Sequence, residues 1–223
     1  MNIVSIIPAR GGSKGVPNKN KRLFLGHPLV AHSIMYAQSS NKISKTFVST
    51  DDLEIMQISK KYGAEVIERP ANISGDKSTT ESAIEHAISC MEEKPDVIVL
   101  LQPTSPIRPK DSLDKALDSF ITQKKDSLLS LSPTHNFFWQ LSENVAKPQY
   151  DFMNRPMRQQ MKQEDIRYIE NGSLYIFNTN HFLKHSNRLG GDIGYIIFDE
   201  DYSKEIDTEF DFIFLELLGK NLG

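Results

Sequence analysis

Ile3-Val4-Ser5-Ile6-Ile7-Pro8-Ala9-Arg10-Gly11-Gly12-Ser13-Lys14-Gly15 opens the chain on a compact, mostly apolar run and drops it directly into a loop with three glycines and two bases. A short run of this kind, ended by proline, reads as a buried strand. Working outward, residues 46–48 and 65–67 form shorter runs, and Val97-Ile98-Val99-Leu100-Leu101 is five consecutive apolar residues, the pattern of a strand covered on both faces. Helical periods lie between them. One begins at Asp51 with a box formed by Glu54, carries Ile55, Ile58 and Tyr62 on one face, and stops at Gly63. Another opens at Ser78 with Glu81 three positions on, then sets Ala83, Ile84, Ala87, Ile88 and Met91 along one stripe. A third starts at Asp111, with Leu113, Ala116, Leu117 and Phe120 apolar. Strands alternating with helices predict an α/β fold: a Rossmann-like, mainly parallel sheet flanked by helices, one domain over residues 1–223. Such sheets bind ligands at the carboxyl ends of their strands, so the loops after Ile7, Val48 and Leu101 are the expected site.

From about 132 to 167 the regularity breaks. Pro133, Pro148 and Pro156 interrupt it, and Phe137, Phe138, Trp139, Tyr150 and Phe152 cluster without a period. Large apolar groups distinguish this segment from a linker. It reads as a small insertion that buries its aromatics either on its own chain as a flap or against a second subunit, giving a homodimer. The core pattern then resumes at 174–177 and 195–198 and ends in a helix from Thr208 through Phe212, Leu215 and Leu218.

With 26 basic against 29 acidic residues the net charge is −3, so neither nucleic acid nor a bilayer is the expected partner. The average hides an asymmetry. Residues 1–50 contain no Asp or Glu, yet carry Arg10, Lys14, Lys19, Lys21, Arg22, Lys42 and Lys45, and such a stretch most simply expects an anion. The lone Cys90 excludes an intrachain disulfide and a Cys-based zinc site and reads as helix packing. The amino terminus looks like a core strand, not a signal peptide, and no apolar run approaches the roughly 18 residues of a membrane span, so a cytoplasmic protein is expected.

The loop from Arg10 to Asn20 matches a polyphosphate cradle. Its glycines free successive N–H groups to curl round an oxyanion, and Arg10, Lys14 and Lys19 add charge. No Gly-Lys-Ser/Thr closes it as a Walker A loop, and the Gly-x-Gly-x-x-Gly of dinucleotide binders is missing. A solvated basic turn is the competing reading.

The string PARGGSKGVPNKN, followed in order by RPANISGD, LLQPTSPIR, ENGSLYIF and EIDTEFD, resembles the acylneuraminate cytidylyltransferase family, the CMP-nonulosonate (CMP-sialic acid type) synthetases, over nearly the whole chain. The related Kdo cytidylyltransferases, an alternative reading, carry Arg-Leu-Pro where this loop has Lys14-Gly15-Val16-Pro17. The resemblance implies attack of the anomeric hydroxyl of a nonulosonic acid on the α-phosphorus of CTP, with Mg2+ as cofactor and pyrophosphate as leaving group. Catalysis of this kind rests on positioning and charge neutralisation. Carried over by position, it implies Arg10, Lys14 and Asp207 as catalytic residues, and Arg10, Gly11, Gly12, Ser13, Lys14, Lys19, Asn20, Arg69 and Thr80 as nucleotide-binding. Gln102, Arg158, Asn171, Tyr175 and Phe177 would meet the sugar, and Asp207 with Glu205 would hold the metal.

Several of these positions also have plain structural readings. Thr80 sits where a hydroxyl caps a helix, Gln102 where an amide satisfies a turn, and Asn171-Gly172 where a hairpin would reverse. Thr208-x-x-Asp211 is itself a capping box, which would account for the acids around it. Family members of the sialic acid type commonly have Arg-Pro before Asn-Gly; here Ile169-Glu170 stands there, which tilts the acceptor toward a diamino sugar such as legionaminic acid. No general base stands out. A nucleotide-binding module without catalysis is the rival of another class.

Overall fold

The computed structural model describes residues 1–222. Along the chain run β1 (Ile3–Pro8), β2 (Leu23–Phe24), β3 (His27–Pro28), α1 (Leu29–Gln38), β4 (Lys45–Thr50), α2 (Leu53–Lys61), β5 (Glu65–Glu68), α3 (Thr80–Ser89) and β6 (Val97–Leu101). Then come α4 (Ser112–Thr122), β7 (Ser127–Thr134), β8 (Trp139–Ser142), β9 (Val145–Pro148), β10 (Arg167–Asn178), α5 (Thr179–His185), β11 (Ile193–Ile197) and α6 (Glu209–Leu222).

Seven strands form one sheet in the order β11-β7-β10-β6-β1-β4-β5, and β10 alone runs antiparallel to its neighbours. The expected mainly parallel sheet is what forms. Because strand side chains alternate, β1 and β6 feed two separate cores. Ile3, Ile7, Val97, Val99 and Leu101 pack on α1, α2 and α4 through Ile34, Ile55 and Leu117. Val4, Ile6, Ile98 and Leu100 pack on α3 and α5 through Ile84, Ala87 and Phe182. Every residue of β6 is buried, as its unbroken apolar run requires.

A third cluster decides where the site lies. Val16 from the loop after β1, Phe24, Leu29, Ile206, Phe212 and Leu215 are buried together. The amphipathic start of α6 is thereby docked against the glycine-rich loop, and the segment just before it is carried to the carboxyl edge of β1. Truncating a ring such as Phe212 there should cost about 3–5 kcal/mol.

Local details correct the sequence reading. The cap of α2 is Asp52, whose carboxylate accepts from the Glu54 and Ile55 amides, not Asp51. Thr79, not Ser78, caps α3 through the Ser82 amide. Cys90 follows α3 as an exposed thiol rather than packing in its stripe. β7 continues to Thr134, so the insertion is shorter than expected, residues 135–166. It carries the β8–β9 hairpin and a small aromatic cluster, with Tyr150 4.4 Å from Phe137 and 5.8 Å from Trp139 between ring centroids. Leu141 (78% exposed) and Met153 (76%) project from it into solvent.

Candidate active site

The loops at the carboxyl ends of β1, β5 and β6, with the first turn of α3, enclose a cleft of about 270 Å³. Arg10, Gly12, Ser13, Lys19 and Asn20 line one side, Arg69 and Thr80 another, and Gln102 the floor at the end of β6. Eight of the residues singled out from sequence therefore share one cavity.

The glycine-rich loop is held by its neighbours. Ala9 N–H donates to Ser49 O (2.9 Å), and the buried Asn20 donates through Nδ2 to Arg10 O (2.9 Å), folding the loop back on itself. Gly11 N–H donates to Asp51 Oδ1 (2.9 Å), and a Cβ on Gly11 would stand 2.8 Å from Asp52. Gly11 thus packs the loop onto the start of α2 and is not among the residues lining the cleft. Lys14 stands at the rim, its side chain 79% exposed and its Nζ 2.6 Å from Asp76 Oδ2. Arg10 reaches the same connection through Gly75 O (2.9 Å) and Asp76 Oδ1 (3.1 Å).

Arg69 is buried at the end of β5, where Nε donates to Ser49 Oγ (3.1 Å) and Nη2 to Ser49 O (2.5 Å). Burial pulls its pKa down, yet a guanidinium stays charged at neutral pH. Two bonds to one serine orient it rigidly toward the cleft. Since Thr79 does the capping, the Thr80 hydroxyl is not consumed by the α3 amides.

The far end of the chain closes the site. Lys19 Nζ donates to Ile206 O (2.6 Å) and lies 4.0 Å from Asp207. Burial lowers the Lys19 pKa, with Asp207 and Glu205 opposing that shift. Gly15 touches the same segment: a Cβ there would stand 1.9 Å from Asp207 O, so only glycine permits this approach. The capping box at α6 is present, Thr208 and Asp211 bonding each other, and it uses Asp211; the Asp207 carboxylate remains 77% exposed at the cradle's edge. Beside it Glu205 accepts from Thr104 Oγ1 (3.2 Å), and its pKa is raised by burial and by the Asp207 and Glu170 charges. Among the described residues no group of three or more acids, histidines or thiols forms a metal cluster. The Asp207 and Glu205 carboxylates, near enough for the Asp207 charge to raise the Glu205 pKa, are hard oxygen donors of the kind that would suit Mg2+, which takes few protein ligands.

One half-buried cation was not singled out from sequence. Arg108, enclosed at the end of the Gln102–Arg108 turn, donates to Gln102 O (2.8 Å), Ser173 O (3.2 Å) and Ser33 Oγ (3.2 Å) and lies over Tyr36. Burial pushes its pKa down to about 10. It shapes the turn that presents Gln102, whose backbone carbonyl it ties while the side chain lines the cleft. Its burial depends on contacts 75 residues away, which no local pattern signals.

The residues expected to meet the sugar fare unevenly. Asn171-Gly172 is neither a hairpin turn nor an open recognition edge: it forms a bulge inside β10, with Gly172 at φ +64°. The buried Asn171 amide is engaged within the fold, Nδ2 donating to Ser132 Oγ (3.0 Å) and Oδ1 accepting from Ser130 Oγ (2.5 Å) and Ser173 N (3.2 Å). The bulge instead seats Glu205, whose carboxylate lies 2.4 Å from where a Gly172 Cβ would be. Phe177 is excluded as a sugar contact. It pairs with Ile98 inside the sheet and is 0% exposed against Phe182. Tyr175 is buried, its phenol donating to Glu170 and its ring under Arg188, which in turn pairs with Glu81 (2.9 Å). Arg158 lies outside the cleft on the insertion, paired with Glu200 (3.2 Å).

Residues 4–190 match the family model described as Cytidylyltransferase. The chain is 30% identical over 216 residues to the N-acylneuraminate cytidylyltransferase of Escherichia coli, covering 94% of this chain and 50% of that one; it spans about half the length of that relative. It is also 30% identical over 230 residues to the pseudaminic acid cytidylyltransferase of Campylobacter jejuni, covering 99% of this chain and 97% of that one. Among solved structures, CMP:2-keto-3-deoxy-manno-octonic acid synthetase complexed with CTP superposes with a TM-score of 0.73 at 16% identity, covering 100% of both chains, a likeness of fold. Among the described residues no helix is long and apolar enough to cross a membrane.

Proposed function

The chain belongs to the cytidylyltransferase family, and on that premise we propose that it transfers the cytidylyl group of CTP to the anomeric hydroxyl of a nonulosonic acid, releasing pyrophosphate. The observation that carries this reading is the convergence of Arg10, Lys19 and Arg69 in one cleft, with Lys14 at its rim and Asp207 held beside Lys19. Base and phosphates thus have separate, rigid contacts. Arg69, locked on Ser49, and Thr80 would receive the cytosine end, while Arg10, Lys14 and Lys19 would line the triphosphate.

Positioned cations stabilise charge as it develops on a phosphoryl group, and this group of three is placed for that work. Asp207, with Glu205 beside it, would hold the magnesium that travels with CTP; bound there, the ion offsets phosphate charge at the reacting centre. Gln102 borders the acceptor half, and the Glu170 carboxylate held by Tyr175 offers an oxygen to an amide N–H of the sugar. That acidic edge supports an acceptor with nitrogen substituents, of which the legionaminic type is our choice. The relative named for pseudaminic acid, matched over 97% of its length, supports a nonulosonate over Kdo. The exposed apolar side chains of the insertion support a homodimer, and the need for CTP supports work in the cytoplasm.

Pyrophosphate release measured with CTP and a panel of legionaminic, pseudaminic, N-acetylneuraminic and Kdo acids, with and without magnesium, tests the proposal. A nonulosonate should be turned over only when the metal is present. Turnover of Kdo alone would replace the acceptor class. CTP binding indifferent to magnesium, with no product from any acid, would make the chain a binding module.

A further inference from the structure

All seven cations of the acid-free stretch 1–50 have a carboxylate partner from elsewhere in the chain. Lys21 pairs with Asp52 and Glu54, Arg22 with Glu209, Lys42 with Asp118, Lys45 with Glu65, and Lys19 approaches Asp207. These partners belong to α2, α6, α4, β5 and the segment docked before α6, so their pairs join elements of the fold. The partner of Arg10 and Lys14 is different. Asp76 lies on the irregular connection between β5 and α3 and lines the cleft itself. Its two oxygens divide between the two cations, Oδ1 at 3.1 Å from Arg10 Nη2 and Oδ2 at 2.6 Å from Lys14 Nζ. Asp52, by contrast, also caps α2 and would be needed whatever Lys21 did. Among the described residues, the Asp76 carboxylate has no partner other than the two cradle cations.

We infer that Asp76 is an internal competitor for the phosphate site: its carboxylate occupies Arg10 and Lys14 between turnovers, yields them to the polyphosphate of CTP, and takes them back as pyrophosphate leaves. The inference rests on the reading of Arg10 and Lys14 as phosphate contacts. A single exposed carboxylate holds such cations weakly, so a polyphosphate of several charges displaces it without difficulty. The competition nonetheless lowers the fraction of molecules with a free cradle, and apparent affinity falls by that fraction for every anion using both cations. Substrate binding and product retention are weakened alike. Among the described residues only these two cations hold the Asp76 carboxylate, so a rotation of its side chain is enough to release them.

The test is calorimetric titration of the full chain with inorganic pyrophosphate and with CTP, comparing the unaltered protein with Asp76→Asn and Asp76→Ala. Asp118→Asn, which frees Lys42 far from the cleft, is the control. Both Asp76 variants should bind pyrophosphate about two- to fivefold more tightly in the absence of divalent ions, as loss of a weak exposed ion pair would allow. The gain should shrink toward unity as salt screens the pair. Pyrophosphate should become a stronger product inhibitor by the same factor, and the control should bind as the unaltered protein does. Unchanged binding in the Asp76 variants overturns the inference. Weaker binding seen only with magnesium present would make Asp76 a contact of the nucleotide's cation and overturns it too. If the unaltered chain and the variants alike bind neither anion, the phosphate-site reading falls first and the competitor role with it.

Discussion

Lys19 Nζ donates a 2.6 Å hydrogen bond to the carbonyl oxygen of Ile206, joining residues 187 positions apart, and the side chain is only 12% exposed. The bond ties the phosphate loop to the segment that carries Asp207. Lys19→Met keeps the buried stem but leaves that carbonyl without its charged donor, so stability should fall by about 1–3 kcal/mol. Turnover should fall at least about a hundredfold, more than the stability loss explains. Urea unfolding alongside steady-state kinetics separates the two; retained turnover in a destabilised variant would reduce Lys19 to a structural tie.

Gly15→Ala puts a methyl group 1.9 Å from Asp207 O, where backbone must give way on one side. The variant should fold, because the contact is at the surface of the third core cluster, but the cradle and the Asp207 segment should part. The expected result is at least a tenfold rise in the magnesium concentration needed for half-maximal turnover, read by metal titration at saturating CTP.

Lys14→Ala removes a side chain that is 79% exposed and, among the described residues, pairs with Asp76 alone. Melting should be unchanged within about 0.5 kcal/mol, as for other surface substitutions. Turnover should drop by about a hundredfold or more if Lys14 meets charge developing on the phosphates. Near-normal turnover would remove it from that role.

Glu205 supplies a pH prediction. Burial, with the Asp207 and Glu170 charges adding to it, raises its pKa above the usual glutamate value of 4.5. Its ionised form therefore costs the fold stability at neutral pH; the cost is fully present above the raised pKa and disappears as pH falls below 4.5. Glu205→Gln should raise the melting temperature at pH 7 by a few degrees, about 1–3 °C, and should show no gain at pH 4. A gain that persists at pH 4 would place its origin in packing rather than charge.

Leu141, 78% exposed on the β8–β9 hairpin, tests assembly. In the proposed homodimer, Leu141→Asp should shift sedimentation from dimer to monomer while leaving CTP binding by the cleft within twofold; a monomer already in the unaltered protein would remove the dimer reading. An unaltered dimer would move the interface off the hairpin.

Periodicity made the layered sheet legible, because burial on both faces leaves a continuous apolar run at residues 97–101 and burial of one helix face leaves a stripe in α3. It missed α1, α5 and β7, the last because its buried serines at 127, 130 and 132 hide its apolar character. Those serines have a purpose visible only in three dimensions: Ser130 and Ser132 hold the Asn171 amide and so stabilise the bulge in β10. Asn-Gly at 171–172 imitates a hairpin signal for the same reason that it suits the bulge, since both need a residue at positive φ.

The site divides in the same way. Glycine spacing and base content around Arg10 and Lys19 identified a phosphate-type loop from local chemistry alone, since the backbone freedom and charge that such a loop needs are properties of adjacent residues. Tertiary structure alone decided what those charges face. The absence of acids in residues 1–50 suggested an unmatched positive stretch, but folding brings in Asp52, Asp76, Asp118, Glu54, Glu65 and Glu209 from remote positions to neutralise it. It likewise sends Phe177 into the core and brings Asp207 to Lys19. Coulomb attraction and burial act through space, so the partner of a charge or a ring is set by which strand ends and helices the packed cores bring together.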